Sequence, residues 1–234
     1  MTEAFLETMA RRTRPLRHPV NTAVTTAWRL LRLPDQSWRE IRILKEICSS
    51  IGRGTLRVFE WGVGRSTVYY PSYLRAIGRE FEWYAVDHST VWYERVKDRV
   101  VAEGLQRYVQ VSCAEVPDAC WRRCPSASPE ADRAARYIEY PRTLDRSFDV
   151  VFVDGRFRRR CLLQAREVLE PHGVAVLHDA QRAYYHPAFG AYPFGGFVYG
   201  WRFPGSIPRS QMWLGSPACD VRRFLDAPTP VLAR

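Results

Sequence analysis

The chain has 234 residues, of which 46% are hydrophobic and 26% are charged, and its formal net charge at pH 7 is +10. This length is typical of one α/β domain, and the hydrophobic fraction is large enough to bury a sizeable core. No apolar run approaches the ~20 residues that a membrane-spanning helix needs, and the N-terminus lacks the apolar core of a secretory leader, which excludes a membrane span and favours a cytoplasmic protein.

The positive charge favours acidic partners, such as nucleic acid, anionic lipid or a phosphorylated substrate. Nearly all of it comes from arginine, because lysine occurs only at Lys45 and Lys97. An arginine-biased genome produces the same preference in proteins of any function, so the charge leaves the kind of partner open.

The six cysteines give no Cys-x-x-Cys pair. Cys48, Cys113 and Cys161 have apolar neighbours in predicted helices or strands, which favours buried free thiols. Cys120 and Cys124 lie one helical turn apart in an arginine-rich segment, so a redox-active pair or half of a metal site stays open there.

Residues 1–36 are basic and irregular, and Pro15 and Pro19 break any long helix among them. We expect an N-terminal extension over residues 1–36 and a single domain over residues 37–234. The domain opens with a helix, because Ser37 and Glu40 have the spacing of a capping box and apolar residues then recur on one helical face.

The stretch from Leu56 to Tyr70 predicts a strand, a tight glycine loop and the start of a helix. Glu60 closes the strand, and Gly62 and Gly64 let backbone N–H groups approach a ligand in front of the positive end of the next helix. Pro71 is tolerated only in the first turns of a helix, so we expect this helix to begin near Pro71.

Strands and helices then alternate, and each strand ends in polar residues. Further strands are predicted over residues 81–86, 108–113, 148–153 and 174–177, with helices over 91–103 and 157–168 and a last strand over 211–214. Residues 117–147 break this rhythm and are expected to be an insertion that acts as a lid, a partner surface or a partly ordered loop. The pattern predicts a doubly wound, mostly parallel sheet with helices on both faces, an antiparallel C-terminal edge and a site at the carboxyl ends of the strands.

The sequence Glu60-Trp61-Gly62-Val63-Gly64-Arg65-Ser66, together with the residues at the later strand ends, resembles the class I S-adenosylmethionine-dependent methyltransferases. Those later residues are Asp87, Glu115, Asp154 and Leu177-His178-Asp179. The resemblance covers roughly Ser37 to Ala183 and implies a Rossmann-like fold, S-adenosylmethionine as cofactor and methyl transfer of the EC 2.1.1 class. It also implies these cofactor contacts: Glu60, Gly62 and Gly64 at the methionine part with Ser66 nearby, Asp87 at the ribose, His88 beside the adenosine, and Ala114 and Glu115 beside the adenine.

A nicotinamide dinucleotide site is the competing interpretation. Its fingerprint has a third glycine, where this sequence has Thr67. Glu60 is also poorly suited to a pyrophosphate and well suited to the cationic amino group of S-adenosylmethionine. Both features favour the methyl donor.

The residues nearest to the chemistry are predicted to be Asp154, His178 and Asp179, at neighbouring strand ends. This arrangement is similar to the metal-dependent catechol-type O-methyltransferases, which implies a magnesium ion on Asp154 and Asp179. The chain departs from them because Ala180 takes the place of an amide ligand and His178 precedes the acid. A magnesium site, a general base at His178 and a purely structural His178 all stay open.

Arg156 lies two residues after Asp154. It either binds an anionic acceptor or forms ion pairs with both Asp154 and Asp179. Arg182 and Tyr184 either line the acceptor pocket or belong to the packing of the final strands. The sequence therefore predicts O-methylation of a small-molecule or glycosidic acceptor, and the arginines leave an acidic acceptor open. A nucleic-acid methyltransferase and a non-catalytic cofactor-binding or scaffold protein with the same fold are the alternatives.

Overall fold

The computed structural model describes residues 33–116, 129–199 and 211–225. Most of the predicted extension, residues 1–32, lies outside this part of the chain, as do residues 117–128 with Cys120 and Cys124. Helix α1 (Trp38–Ser50) starts with the predicted capping box. Ser37 N donates to Glu40 Oε2 at 2.6 Å, and Glu40 N donates to Ser37 Oγ at 3.3 Å. No described helix is both long enough and apolar enough to cross a bilayer.

The strands of the described residues form one seven-stranded sheet in the order β3-β2-β1-β4-β5-β7-β6. Their bounds are Leu56–Trp61 (β1), Phe81–Asp87 (β2), Val109–Cys113 (β3), Phe148–Val153 (β4), Leu169–Leu177 (β5), Phe194–Tyr199 (β6) and Gln211–Ser216 (β7). Strands β1 to β5 pair in parallel, and β7 pairs antiparallel with both β5 and β6. The predicted α/β fold with an antiparallel C-terminal edge is confirmed.

Helices cover both faces of the sheet, as predicted. Their bounds are Ser66–Ala76 (α2), Thr90–Ala102 (α3), Pro129–Glu139 (α4), Arg158–Val168 (α5) and Arg222–Leu225 (α6), and 3-10 helices span Tyr140–Leu144 and Ala183–Ala191. One core cluster joins α1, α2 and α3 to inward residues such as Val58 and Trp83. The other joins α4 and α5 to residues such as Phe59 and Val151. Apolar side chains thus leave β1 on both sides, as expected of a central parallel strand.

Helix α2 begins at Ser66, directly after the glycine loop, so the prediction of a start near Pro71 was wrong. Pro71 is the sixth residue of the helix and lacks the N–H that would bond to the preceding turn. Tyr70 and Pro71 are both buried. Their packing against the core accounts for a helix that tolerates one missing hydrogen bond.

The predicted insertion contains part of the second core layer. Ala134, Tyr137 and Ile138 of α4 are buried in the cluster that covers β4. Residues 129–144 therefore belong to the crossover from β3 to β4 and contribute to the core.

Strand β6 was not predicted, because its segment is rich in glycine. A Cβ atom on Gly195 would lie 2.5 Å from the Trp213 ring, and one on Gly196 would lie 2.4 Å from Leu225 Cδ1. The glycines therefore make room for two large side chains. Strand β5 also begins five residues before the predicted Val174, because Leu169 pairs with Phe148 across a shift in register.

Candidate active site

The parallel strands end together at what we call the carboxyl edge, the ends of β1 to β5. Backbone hydrogen bonds continue past the strands there, from Gly62 N to Val86 O at 2.9 Å and from Asp154 N to Trp61 O at 3.0 Å. His178 N bonds to Val153 O at 3.2 Å. The loops that follow the strands are therefore held in register with one another.

Gly62 lies in the left-handed region, with a φ of 89°. A Cβ atom there would lie 2.5 Å from both Cα and N of Gly155. A Cβ on Gly155 would in turn lie 2.9 Å from Gly62 N. The loops after β1 and β4 thus touch backbone to backbone, and both positions require glycine.

Gly64 is different, because a Cβ atom there would have no neighbour within 4 Å. Gly64 N donates to Thr67 Oγ1 at 3.0 Å. Thr67, at the position of the third glycine of a dinucleotide fingerprint, therefore caps this loop. The loop is tightly packed at Gly62 and has open space beside Gly64.

Glu60 is completely buried, below the loop. Its carboxylate accepts hydrogen bonds from Ser66 Oγ at 2.5 Å and from Trp83 Nε1 at 2.9 Å. Burial raises the pKa of Glu60 to about 7, although the bonds from Ser66 and Trp83 oppose the shift. Glu60 and Ser66 bond to each other, and with Trp83 they connect the start of α2 to β2. Their contact with the cofactor stays a prediction.

Asp87 ends β2 and is 4% exposed. Its Oδ2 accepts a hydrogen bond from Val63 N at 2.9 Å, and its Oδ1 accepts one from Ser89 N at 2.8 Å. His88 Nδ1 lies 3.1 Å from the same Oδ1. Asp87 therefore connects the glycine loop to the loop after β2.

Ala114 and Glu115 line a cavity of about 600 Å³ beside β3. The other residues around it come from β3, from α4 and from the 3-10 helix that follows: Cys113, Arg133, Arg136, Glu139, Tyr140 and Thr143. The two residues predicted to lie by the adenine thus border open space at the edge of the sheet.

Asp154 and His178 are brought together at the ends of β4 and β5. His178 Nδ1 lies 3.0 Å from Asp154 Oδ1. Burial opposes protonation of His178, but the Asp154 carboxylate outweighs it and raises the pKa of His178 to about 9. Burial also opposes ionisation of Asp154, yet His178 and Arg158 lower its pKa. The pair is therefore an imidazolium–carboxylate ion pair at neutral pH.

The second ring nitrogen, His178 Nε2, is buried and has no hydrogen-bond partner among the described residues. A buried nitrogen of this kind costs free energy unless a ligand or another group bonds to it. His178 therefore has one nitrogen fixed by the protein and one available for a hydrogen bond.

A family model described as a methyltransferase domain matches residues 59–180, more than half of the chain, from the second half of β1 to just past Asp179. The chain belongs to this methyltransferase family. Membership implies S-adenosylmethionine as the methyl donor of the enzyme. No curated protein matches the sequence significantly.

Solved structures of methyltransferases share the fold. A methyltransferase-like protein from Silicibacter pomeroyi has 18% sequence identity and a TM-score of 0.53, over 83% of this chain and 97% of that chain. An S-adenosylmethionine-dependent O-methyltransferase from Thermotoga maritima has 12% identity and a TM-score of 0.53, over 84% of this chain and 71% of that chain. At these identities the likeness concerns the fold alone.

The two acids of this methyltransferase do not form the magnesium site that the sequence left open. Arg158 Nη2 lies 2.8 Å from Asp154 Oδ1, and Arg158 Nη1 lies 3.1 Å from Asp179 Oδ2. The described ranges contain no group of three or more His, Cys, Asp or Glu side chains that could hold a metal ion. A divalent cation needs oxygen ligands that are not already paired with a cation. Here the Arg158 guanidinium occupies both carboxylates, so the site does not suit magnesium.

The predicted substrate residues of the methyltransferase lie on the surface beside these acids. The side chain of Arg182 is 62% exposed, with Nη2 3.9 Å from Asp179 Oδ2. Tyr184 is 63% exposed, and the Arg159 guanidinium lies over its ring, 5.5 Å from the ring centre. Arg156 is exposed as well. Together these residues give the site a cationic and aromatic rim.

The aromatic residues that follow Tyr184 pack in the core. Tyr185 is 7% exposed, and Phe189 stacks on Trp213 with ring centroids 4.3 Å apart. Of the two adjacent tyrosines, Tyr184 is exposed to solvent and Tyr185 is buried.

Two residues of this site, Arg158 and Tyr137, were not predicted from the sequence. Tyr137 falls in the predicted insertion. Arg156 N donates to Tyr137 Oη at 3.4 Å, and Trp61 Nε1 donates to Tyr137 O at 3.0 Å, so Tyr137 supports the loops after β1 and β4 from below. The position of Arg158 four residues after Asp154 was the only available signal, and it is a weak one.

Proposed function

We propose that this methyltransferase transfers the methyl group of S-adenosylmethionine to an oxygen atom of an acidic small-molecule or glycosidic acceptor. The observation that carries this proposal is the buried Nε2 atom of His178, which has no partner in the described residues. An acceptor oxygen at this nitrogen would supply the missing hydrogen bond. An acceptor that presents a carbon atom would leave His178 Nε2 without a hydrogen bond.

The residues of the carboxyl edge fit the cofactor. Open space beside Gly64 allows a ligand to approach the loop backbone, and the cavity beside Ala114 and Glu115 is large enough for a flat ring system. The Asp87 carboxylate accepts two backbone N–H bonds and keeps further lone pairs for hydroxyl groups. When bound, S-adenosylmethionine supplies an electrophilic methyl group on a sulfonium that is a good leaving group. The protein must therefore chiefly orient the acceptor.

Asp154 orients His178 by accepting a hydrogen bond from Nδ1. Because the pKa of His178 is raised to about 9, the imidazole is protonated at neutral pH and Nε2 carries a proton. A protonated Nε2 donates to an acceptor oxygen and stabilises it best when that oxygen is ionised. It cannot remove a proton from a neutral alcohol. The charge state of His178 therefore favours an acceptor that binds as a carboxylate or phenolate.

The cationic rim supports the same class of acceptor. Arg156 and Arg182 are exposed, and Arg159 is held against the Tyr184 ring. Arginine at such positions attracts anions and offers two parallel donors to a carboxylate. Tyr184 gives a flat surface for the body of a ring-shaped acceptor.

Two measurements test this proposal. Calorimetric titration with S-adenosylmethionine and with its demethylated product establishes cofactor binding, and its absence at millimolar concentration would overturn the assignment. Methyl transfer is then compared between matched acceptor pairs, a carboxylate against its amide and an acidic phenol against the corresponding benzyl alcohol. We expect the ionisable member of each pair to be methylated on oxygen, as seen by mass spectrometry. Methylation confined to RNA or DNA would instead establish the nucleic-acid alternative.

A further inference from the structure

Arg158 is the first residue of α5, and its guanidinium lies between the two strand-end acids. The contacts to Asp154 Oδ1 and Asp179 Oδ2 measure 2.8 Å and 3.1 Å, and the arginine side chain is 14% exposed. Burial favours the neutral form of Arg158, but Asp154 and Asp179 outweigh it and raise its pKa. One protein cation is thus shared between two carboxylates.

The remaining N–H groups of this guanidinium bond to three backbone carbonyls. Nε donates to Gly155 O at 3.0 Å, Nη1 donates to His178 O at 2.7 Å, and Nη2 donates to Asp154 O at 2.9 Å. A guanidinium has five N–H donors, and four of them bond to these three carbonyls and to Asp179 Oδ2. Nη2 also lies 2.8 Å from Asp154 Oδ1 as an ion pair. These contacts hold Arg158 in one orientation.

We propose that Arg158 is a built-in cation that takes the place of a divalent metal ion between Asp154 and Asp179 and positions both acids for methyl transfer. This assignment of a positioning residue deepens the proposed function and rests on it. It makes the methyltransferase independent of magnesium. The acids are held by a part of the chain itself rather than by an ion from solution.

The chemistry of the site explains why the cation is an arginine. Two carboxylates close together repel each other, so one of them takes up a proton unless a positive charge lies between them. A guanidinium meets carboxylates and carbonyls in one plane with rigid spacing, whereas a lysine ammonium offers only three donors on a flexible stem. Arg158 also bonds to His178 O, so the same group that neutralises the acids fixes the backbone of the histidine.

Metal binding gives a test that needs no acceptor and no turnover. Arg158→Ala and Arg158→Gln remove the guanidinium that pairs with both carboxylates and leave the His178 imidazolium beside Asp154 alone, so we expect both variants to bind Mn²⁺ at least tenfold more tightly than the wild type. Electron paramagnetic resonance and calorimetry measure this. Arg160→Ala is the matched control, because Arg160 is exposed on the same helix and has no role in the site. Wild-type binding as tight as that of both variants would overturn the proposal.

Activity with a chelator completes the test. We expect EDTA to leave wild-type transfer within twofold. Arg158→Gln should lower kcat by more than tenfold with S-adenosylmethionine affinity unchanged, and Arg158→Lys should recover part of kcat while still excluding Mn²⁺. A tenfold loss in EDTA that Mg²⁺ restores would contradict the proposal. Should the acceptor class be wrong, the Mn²⁺ result still stands. Should Arg158→Ala fail to fold, the Gln and Lys variants decide.

Discussion

Asp154 and His178 occupy equivalent positions at the ends of two paired strands, with His178 Nδ1 3.0 Å from Asp154 Oδ1. The preceding residues, Val153 and Leu177, are register partners in the parallel β4–β5 pair. The sheet itself therefore sets the distance between the acid and the imidazole. Because neither residue belongs to a long loop, their geometry does not depend on a closing movement.

Removing the imidazole should abolish transfer without disturbing the donor. We expect His178→Ala to lower kcat by about 10²- to 10⁴-fold, the usual contribution of a positioned proton donor or acceptor. Affinity for S-adenosylmethionine should stay within a few fold, as measured by calorimetry. His172→Ala is the matched control, since His172 is exposed within the same strand, before its buried part. Equal loss of cofactor affinity and kcat would make His178 a structural residue.

The pH profile of transfer distinguishes an ionised acceptor from a neutral one. For a carboxylate acceptor, we expect kcat/KM to be constant near neutral pH and to fall as pH rises through about 9, because His178 then loses the proton that holds the acceptor. The falling limb should disappear in His178→Gln. A rate that instead rises towards pH 9 would indicate a general base acting on a neutral hydroxyl and would contradict an acidic acceptor.

The same ion pair should make stability depend on pH. The pKa of His178 is raised from 6.5 to about 9, so its contribution to stability is fully present below pH 6.5 and is lost as pH rises through about 9. Thermal denaturation of the wild type and of His178→Gln between pH 6 and pH 10 measures this contribution. We expect the difference in melting temperature between them to shrink over that interval. A constant difference would mean that the pair is neutral when folded.

Glu60 should also make stability fall as pH rises, because burial disfavours its ionised form. Its pKa is raised from 4.5 to about 7, so the folded state keeps a proton that the unfolded state releases, and stability falls as pH rises through this window. Glu60→Gln keeps an oxygen for the Trp83 N–H and cannot ionise. We expect it to be more stable than the wild type above pH 7 by about 1–3 kcal/mol and to differ little near pH 4. Chemical denaturation at pH 4 and pH 8 measures the difference in the free energy of unfolding between Glu60→Gln and the wild type. A variant less stable than the wild type at pH 8 would contradict the raised pKa of Glu60.

The two glycines of the first loop should respond differently to the same substitution. Gly62→Ala forces a Cβ against the Gly155 backbone at a positive φ, so we expect a loss of about 1–3 kcal/mol from backbone strain alone. Gly64→Ala meets open space and should change stability by less than about 0.5 kcal/mol. Gly64→Ala should nevertheless weaken S-adenosylmethionine binding, because its methyl group enters the space left for the ligand. Unchanged affinity in this variant would move the cofactor away from Gly64.

The fold was predictable because each parallel strand is an apolar run closed by polar residues. Asp154 and His178 could be placed together for the same reason, since carboxyl ends of neighbouring parallel strands meet at one edge. The orientation of Arg158 was not predictable. Arg158 follows Phe157, the residue before the first turn of α5, which has a left-handed φ of 52°. No local sequence preference predicts a left-handed phenylalanine.

Glu60 illustrates a second limit. Its contact with the cofactor stays a prediction, but its partners inside the protein were not predictable. Strand residues alternate between the two faces of a sheet, so the face that receives its carboxylate was open. Glu60 lies on the face covered by α1 to α3 and bonds to Ser66 and Trp83 there. Its orientation depended on the exact residue at which β1 ended, which the sequence pattern does not fix to one residue.

The backbone contact between Gly62 and Gly155 restricts which parts of the molecule can accept substitutions or insertions during evolution. An insertion in either loop would separate the end of β1 from the loop after β4, which carries Asp154, so changes in acceptor preference are better tolerated elsewhere. The surface residues Arg156, Arg182 and Tyr184 are free of this constraint. Libraries that seek altered acceptor preference should therefore vary those three positions and leave both glycines untouched.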